Sequence, residues 1–380
     1  MPVTRPTSLS PDAVREAAEA AAKHAVVSES DRRLPPEVVA PVLAAGFARH
    51  FVPARWGGSA GTFRALLPAV ATIGESCASA AWFASLAASV GRLAAHLPPE
   101  GQAELWQDRP DTPIVGALAA SGTAERAPGG WRVSGQWPYV SGVDSSEWAL
   151  VCARASDGER TEPRFFAVPR SAYGLGDSWF NVGLRGTGSN TLVLDGVTVP
   201  DTRSVALAEL LAGRAPGAEA PCHRVPMKAA NGLTLTAPLL GAARGALRQW
   251  SGLARGKLLA PAAAITGTAD RTPYELTLAR SDGEIDAAAL LLDRVAGVLD
   301  RGVVDPVLTA RNGRDCALAA ETLAGAVDRL LRSSGSRGQS DSEPLQRFWR
   351  DVHAGAGHSG LQFPPVASAL VRATGSLDGP

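Results

Sequence analysis

Lysine is scarce in this 380-residue chain, which contains only Lys23, Lys228 and Lys257. Arginine supplies the other basic residues, and the total of 37 Lys and Arg equals the total of 37 Asp and Glu. The formal net charge is therefore zero, and no block of one sign stands out along the chain. The sequence thus gives no electrostatic case for nucleic acid or an anionic membrane as a partner.

Cysteine is also rare, and no Cys-x-x-Cys pair occurs, which argues against a zinc ribbon and a thioredoxin-like motif. The four cysteines predict reduced, mostly buried thiols in a cytoplasmic protein. Residues 1–10 lack the apolar core of a signal peptide, and the apolar stretch Ala78–Ala95 is interrupted by Arg92. No Ser-His-Asp arrangement, Walker loop or His-Glu-x-x-His motif is present, and no metal site is expected.

Three zones are distinguished by their residue patterns. Residues 1–112 and 211–380 carry apolar residues at helical spacing, whereas residues 113–210 are rich in glycine, proline and short β-type runs. The Ser/Gly/Gln-rich residues 333–343 are expected to form a mobile loop. The predicted helices include Glu37–Ala45, Leu233–Leu253, Asp282–Leu299 and Asp315–Leu331, and the predicted strands are Trp131–Val133, Trp148–Cys152, Arg164–Val168 and Thr191–Val199. The expected fold is mainly α with a central, mostly antiparallel β domain, which is neither a βαβ series nor a sandwich alone.

Several motifs occur in an order that covers most of the chain. They are Ala45–Gly58, which contains Ala-Gly-Phe and Val-Pro-Ala-Arg-Trp-Gly-Gly, then Trp131–Gly142, Gly183–Ser189 and Gly241–Ala246. This set resembles the acyl-CoA dehydrogenase superfamily, and within it most closely the two-component (group D) flavin-dependent monooxygenases. The resemblance implies an N-terminal helical domain, a middle β barrel or sandwich and a C-terminal four-helix bundle, assembled as a homotetramer.

The activity that this resemblance implies is oxygen insertion. The similar enzymes accept reduced FAD or FMN from a separate NAD(P)H:flavin reductase, react with O2 through a flavin C4a-hydroperoxide, and hydroxylate aromatic or natural-product substrates. Three alternatives stay open. They are oxidation of an acyl thioester by a dehydrogenase of the same fold, N-hydroxylation of an amine or amino sugar, and a catalytically inactive relative that serves as a binding protein.

The acyl-CoA dehydrogenases need a carboxylate base to remove the α-proton of their substrate. The resemblance aligns the commonest position of this base with His358 and Ser359, and a second position with the start of the helix at Leu233. Neither of the first two residues is acidic, and no Asp or Glu occurs between Glu219 and Asp270. The sequence therefore favours oxygen insertion over dehydrogenation.

His358 and Ser141 are the candidate catalytic residues. An imidazole donates hydrogen bonds and moves protons near neutral pH, and in the resembling enzymes a histidine at this place faces the reactive flavin edge. The alternative for His358 is a surface or helix-capping histidine. The alternative for Ser141 is a turn serine before Gly142. His353 lies about 140° around a helix from His358, which is unsuitable for a metal-binding pair, and is expected to pack.

The resemblance assigns eight residues to the flavin site: Trp137, Tyr139, Val140, Ser141, Gly142, Arg185, Ser189 and His358. The arginine suits a phosphate, and the glycines near it permit close backbone approach, although a Gly-rich hairpin loop is the alternative. Trp137 and Tyr139 either line the isoalloxazine ring or fill the core of the β domain, and the core is the simpler interpretation for both.

One departure from the resembling enzymes concerns the substrate. Many aromatic hydroxylases of this kind carry a further histidine on the helix after the segment of Trp82, where this chain has Leu86–Gly91 without histidine. Such a histidine often orients or deprotonates a phenol. Its replacement by small residues argues against a simple phenol, favours an indole, an amine or a polycyclic compound, and suggests room for a bulky ligand.

Overall fold

The computed structural model describes residues 9–259 and 270–375. Six helices come first: α1 (Pro11–Lys23), α2 (Ala25–Ser30), α3 (Pro36–Ala44), α4 (Phe63–Gly74), α5 (Ala78–Ala94) and α6 (Pro99–Trp106). Six more follow the β domain: α7 (Leu207–Ala212), α8 (Met227–Leu259), α9 (Thr272–Leu299), α10 (Pro306–Ser334), α11 (Pro344–Ala356) and α12 (Phe363–Thr374). Side-chain oxygens of Ser10, Thr62 and Asp305 cap α1, α4 and α10 by accepting backbone N–H groups of the first turn.

The β domain is one mixed sheet of seven strands. The strands are β1 (Ile114–Ala127), β2 (Gly130–Val140), β3 (Trp148–Ser156), β4 (Thr161–Pro169), β5 (Gly174–Gly176), β6 (Asn190–Val199) and β7 (Ser204–Ala206), in the spatial order β5-β6-β2-β1-β3-β4-β7. Every pairing is antiparallel except that of β1 with β3, which is parallel. One face buries Trp137 and Phe166 in the core of the domain, and the other packs on α5 and α6 through residues such as Phe165.

The N-terminal helices and the C-terminal bundle share one apolar core. Close backbone contact between α4 and α8 makes this possible. A Cβ added to Gly241 would lie 2.2 Å from the carbonyl oxygen of Ala71, and one added to Gly74 would lie 2.8 Å from that of Pro238. Helix α5 runs through the middle, and every one of its residues except Leu86 is buried. The Ala-rich composition of α5 is thus explained by the need to pack on all sides.

The predicted fold class, mainly α with a central β domain, is confirmed, but several elements were missed or cut short. The helix predicted from Leu233 begins at Met227, and the one predicted from Asp282 begins at Thr272. Residues 333–343, expected as a loop, contain the end of α10 and a 3-10 turn at Ser336–Gln339. Strands β5 and β7 have three residues each, too few to show a pattern.

Strand β1 has 14 residues but was not predicted from the sequence, because it is rich in alanine and glycine, which have low β propensity. Packing explains two of its glycines. A Cβ at Gly116 would lie 2.9 Å from Val90 of α5, and one at Gly122 would lie 2.2 Å from the indole of Trp137. The same residues that weaken the strand pattern therefore make room for a helix on one face and a core tryptophan on the other.

The four cysteines are buried free thiols, as predicted. Among the residues that the structure describes, no helix is both long and apolar enough to cross a membrane.

Candidate functional site

Ser141 is placed by a tight turn directly after β2. Gly142 has a φ of +74°, a left-handed conformation that favours glycine. A Cβ at this position would also lie 2.7 Å from the ring of Phe83 on α5. The backbone N–H of Gly142 donates to the carbonyl of Thr187 at 2.7 Å. Ser141 and the loop Gly183–Ser189 are thus held together against α5.

A chain of hydrogen bonds runs through this junction. The indole Nε1 of Trp82 donates to Ser141 Oγ at 3.2 Å, and Ser141 Oγ lies 2.8 Å from Ser189 Oγ. Ser189 Oγ lies 2.6 Å from Thr187 Oγ1, which donates to the carbonyl of Leu184 at 2.7 Å. The structure therefore brings Ser141 and Ser189 together and adds Trp82 and Thr187, which the sequence did not assign to the site.

The proton order in this chain follows from the number of protons available, since each hydroxyl has one. Thr187 uses its proton on a carbonyl, so Ser189 must donate to Thr187, and Ser141 must donate to Ser189. Ser141 accepts one hydrogen bond from Trp82 and keeps one lone pair. The hydroxyl of Ser141 is consequently set to accept a hydrogen bond from a ligand N–H, and it has no proton left to donate.

His358 lies beside the ring of Trp82, with ring centroids 6.1 Å apart. It precedes a short 3-10 turn, and its Nδ1 accepts a hydrogen bond from the N–H of Gly360 at 3.0 Å. The residue is exposed at the surface, yet protein atoms crowd its ring, and this desolvation lowers the pKa of His358 below its usual value. A neutral imidazole that accepts at Nδ1 carries its proton on Nε2, so His358 is a helix-capping residue and a donor at once.

A buried carboxylate anchors the loop to the C-terminal bundle. Asp351 Oδ1 of α11 accepts the N–H of Leu184 at 2.6 Å, and Leu184 has a φ of +51°. A Cβ at Gly183 would lie 2.2 Å from the carbonyl oxygen of Arg350, so only glycine permits this contact. Burial raises the pKa of Asp351 to about 6. Asp351 thereby positions the loop that carries Thr187 and Ser189.

Trp137 and Tyr139 differ in environment although they are two residues apart. Trp137 is 1% exposed in the core of the β domain and donates to the carbonyl of Cys152 at 2.6 Å, so its ring has no free face for a flavin. Tyr139 has a φ of +65°, is 74% exposed and packs edge-on against Trp179. The core interpretation is wrong for Tyr139, because a β-bulge between Trp137 and Val140 turns its side chain outward.

The other predicted residues lie nearby in different roles. Val140 is fully buried and pairs with Asn190 of β6. Arg185 donates to the carbonyls of Glu29 and Asn181 at 3.3 and 3.4 Å, which ties its loop to α2. A phosphate contact of Arg185 stays a prediction.

His353 behaves as the helical spacing predicts. Its ring stacks on Trp349 at 4.6 Å, and its Nδ1 lies 2.9 Å from the carbonyl of the same residue. His353 therefore packs within α11 and its surroundings.

A narrow cleft lies between α5, α8 and β1, next to the segment without histidine. Its cavity volume is about 40 Å³, and it is partly open to solvent. Ser89 and Thr234 bond across it at 2.8 Å, and Asn231 and Arg92 also line it. A cavity of this size is too small for an aromatic ring, so the expected room for a bulky ligand requires side chains to move.

Asn231 connects this cleft to the loop of His358, since a Cβ at Gly360 would lie 3.2 Å from its side-chain nitrogen. A second and larger cleft, of about 850 Å³, lies among Arg49, Trp56 and Trp106. None of the predicted site residues lines this larger cleft.

Comparison with known proteins decides the family. The oxygenase component of the FADH2-dependent resorcinol hydroxylase from Rhizobium sp. (strain MTP-10005) is 31% identical over 363 residues, which cover 90% of this chain and 88% of the relative. The chain belongs to the two-component flavin-dependent monooxygenases of the acyl-CoA dehydrogenase superfamily. Residues 233–363 also match the model of the acyl-CoA dehydrogenase C-terminal domain.

Solved structures of this family superpose over nearly the whole chain. The 3-HSA hydroxylase from Rhodococcus sp. RHA1 has a TM-score of 0.90 at 29% identity and covers 97% of both chains. XiaF from Streptomyces sp., solved in complex with FADH2 and glycerol, has a TM-score of 0.89 at 28% identity, with 97% of this chain and 95% of that chain covered. These likenesses confirm the predicted fold and the predicted type of enzyme.

Proposed function

We propose that this chain is the oxygenase component of a two-component hydroxylase that uses reduced flavin and O2 to hydroxylate an aromatic or indole-like substrate. A bound reduced flavin supplies the electrons that activate O2 for transfer of one oxygen atom. The observation that carries the proposal is the junction of Ser141, Trp82 and His358, where the β domain, α5 and the C-terminal helices meet.

The hydrogen-bonding direction at Ser141 fits reduced flavin better than oxidised flavin. The N5 atom of the reduced ring carries a proton and donates, whereas N5 of the oxidised ring only accepts. Since Ser141 has a spare lone pair and no spare proton, it complements the reduced form. The exposed ring of Tyr139 adds a surface suited to an aromatic ring.

His358, beside Trp82, offers an N–H group as a hydrogen-bond donor at the same junction. Its lowered pKa keeps the imidazole neutral at pH 7, and the bond from Gly360 fixes the proton on Nε2. A neutral donor holds an oxygen atom at the reacting edge without releasing a proton prematurely, which favours oxygen transfer over loss of hydrogen peroxide.

Dehydrogenation of an acyl thioester is disfavoured because the site lacks an acidic residue that is placed to remove the α-proton of the substrate. Residues 227–259 of α8 contain no Asp or Glu. Asp351 precedes His358 by seven residues, but it is 5% exposed and bonded to the backbone of Leu184. A carboxylate held in this way serves the loop and is not placed to remove a substrate proton.

The finer assignments rest on different observations. FAD is favoured because the Rhizobium relative and XiaF are both named with FADH2. A separate NAD(P)H:flavin reductase is the expected partner, and the four free thiols suit the cytoplasm. A homotetramer would cover Leu276 and Leu290 of α9, which are 68% and 73% exposed, and Leu318 of α10, which is 40% exposed.

The affinity for the two redox states of FAD tests this proposal. The wild-type chain is expected to bind reduced FAD at least tenfold more tightly than oxidised FAD, measured by anaerobic fluorescence titration. Ser141→Ala should lose most of this preference, whereas Ser145→Ala, which changes a half-buried serine of the 3-10 turn after Gly142, should keep it. Tighter binding of oxidised FAD, together with anaerobic bleaching by acyl-CoA thioesters, would support a dehydrogenase instead.

A further inference from the structure

Arg92 is a buried charge beside the narrow cleft. It is 3% exposed near the end of α5 and lines the cleft together with Met227. Its Nη1 donates to the carbonyl of Val225 at 2.8 Å and to that of Cys222 at 3.5 Å, and its buried Nε has no hydrogen-bond partner. Within residues 9–259 and 270–375, no ion pair joins Arg92 to a carboxylate.

The surroundings of Arg92 do not neutralise its charge. Two buried histidines lie near it, and burial lowers the pKa of His96 to about 4 and also lowers that of His223, so both are neutral at pH 7. Burial lowers the pKa of Arg92 to about 10, which still leaves it positively charged at pH 7. A buried charge without a counter-ion is costly, so an anionic group in the cleft would stabilise this region.

The cleft links Arg92 to the reacting end of the site. Trp82 and Arg92 are ten residues apart on α5, which places their Cα atoms about 15 Å apart along the helix axis. Ser89 lies between them and lines the cleft with Asn231, whose side chain approaches the loop of His358. A planar molecule one or two rings long, with a short arm, would reach from one end to the other once the side chains that line the cleft move apart.

We propose that Arg92 is a specificity-determining residue that binds the carboxylate of an aromatic acid, whose ring points toward Trp82 and His358. This assignment rests on the proposed function and narrows its substrate class. A guanidinium is suited to a carboxylate because its N–H groups match the two carboxylate oxygens. Binding through a carboxylate also explains why Leu86–Gly91 contains no histidine, because a substrate held by its carboxylate does not need a base to orient a phenol.

Equilibrium binding to the flavin-free chain tests the role of Arg92. The probes are indole-3-acetate and its uncharged match indole-3-acetamide, with 4-hydroxyphenylacetate and its amide as a second pair, measured by isothermal titration calorimetry. The wild-type chain should bind at least one acid tenfold or more tightly than its amide. Arg92→Gln should abolish this difference, and Arg92→Lys should keep part of it.

Arg64→Gln is the matched control, because it removes an arginine that is 58% exposed and should leave the preference intact. The wild-type comparison of acid with amide needs no variant, so it stands even if Arg92→Gln fails to fold. Equal affinity for acid and amide, no binding of any probe, or an unchanged preference in Arg92→Gln would overturn the proposal. Hydroxylation of neutral aromatics with no acid preference would reject the role of Arg92 and leave the proposed function intact, whereas acid preference without any hydroxylation would do the reverse.

Discussion

Two buried charges in this molecule have opposite surroundings. Asp315 of α10 is fully buried, and Arg294 of α9 and Arg314 both bond to its carboxylate, the latter through Nε at 2.7 Å. Arg92 of α5 is equally buried, but it contacts two carbonyl oxygens and the ring of Phe63, 5.7 Å from its guanidinium, and pairs with no carboxylate among the described residues. The first charge is compensated within the fold and holds two helices together. The second is left uncompensated beside a cleft, which is the arrangement expected of a ligand-binding group.

The largest loss of stability is expected when the carboxylate of Asp315 is removed from its two arginine partners. Asp315→Ala would leave two partly buried arginines without their partner and should lower the free energy of unfolding by about 3–5 kcal/mol. Urea unfolding followed by circular dichroism measures this change. Asp328→Ala, which removes a partly exposed carboxylate from the same helix, is the control and should cost about 1 kcal/mol or less. A loss below about 1 kcal/mol for Asp315→Ala would remove the contrast with Arg92.

A loss of stability of intermediate size is expected at Asp351, whose carboxylate is buried and accepts a hydrogen bond from a backbone N–H. Asp351→Ala leaves the N–H of Leu184 without an acceptor and should cost about 1–3 kcal/mol. Asp351→Asn keeps an acceptor oxygen and should cost much less. The two variants should also differ in product yield, since the loop carries Ser189. Equal stability of the Ala and Asn variants would show that the bond to Leu184 contributes little.

The pH dependence of Asp351 has a definite sign. Its pKa in the folded chain is raised to about 6, from an unfolded value near 3.8, so protonation favours the folded state. This contribution is fully present below about pH 4 and is lost as the pH rises through 6. Stability of the wild-type chain relative to Asp351→Asn should therefore increase between pH 7 and pH 4, measured by urea unfolding. A decrease over that window would contradict the burial of the carboxylate.

The smallest effect on stability is expected at Arg92 itself. Arg92→Leu removes the cost of a buried charge without a counter-ion and also removes the bonds to the carbonyls of Cys222 and Val225. Because these two contributions oppose each other, the free energy of unfolding should change by less than about 1 kcal/mol, even though the residue is nearly as buried as Asp315. The same urea titration measures it. A loss comparable to that of Asp315→Ala would show that Arg92 is a structural residue.

The sequence predicted the fold for an identifiable reason, and the same motifs supplied the candidate site residues Ser141, Ser189 and His358. Each motif is weak by itself, but together they follow the order of one family along the chain. Trp82 and Thr187 could not be assigned, since the bond between Trp82 and Ser141 joins residues 59 positions apart and no local pattern encodes it. A residue that acts through distant contacts is visible only once the chain is folded.

The burial and the charge partners of a residue also could not be predicted from local sequence patterns. Arg92 appeared in the sequence only as an interruption of an apolar helix, and its lack of a counter-ion depends on which side chains the fold brings near it. Tyr139 was expected in the core because a large aromatic ring in a β domain is usually buried, but a left-handed backbone at that residue turns it to the surface. Strand β1 was missed because its glycines serve packing partners elsewhere in the chain.

The central claim is that this chain inserts oxygen from O2 with His358 as the proton donor. The most direct measurement supplies reduced FAD and ¹⁸O2 with an aromatic acid and determines the mass of the product. The account predicts one ¹⁸O atom in each product molecule of the wild-type chain. It predicts a product yield at least tenfold lower, with more hydrogen peroxide, for His358→Ala. Product oxygen derived from water, or an unchanged yield in His358→Ala, would contradict it.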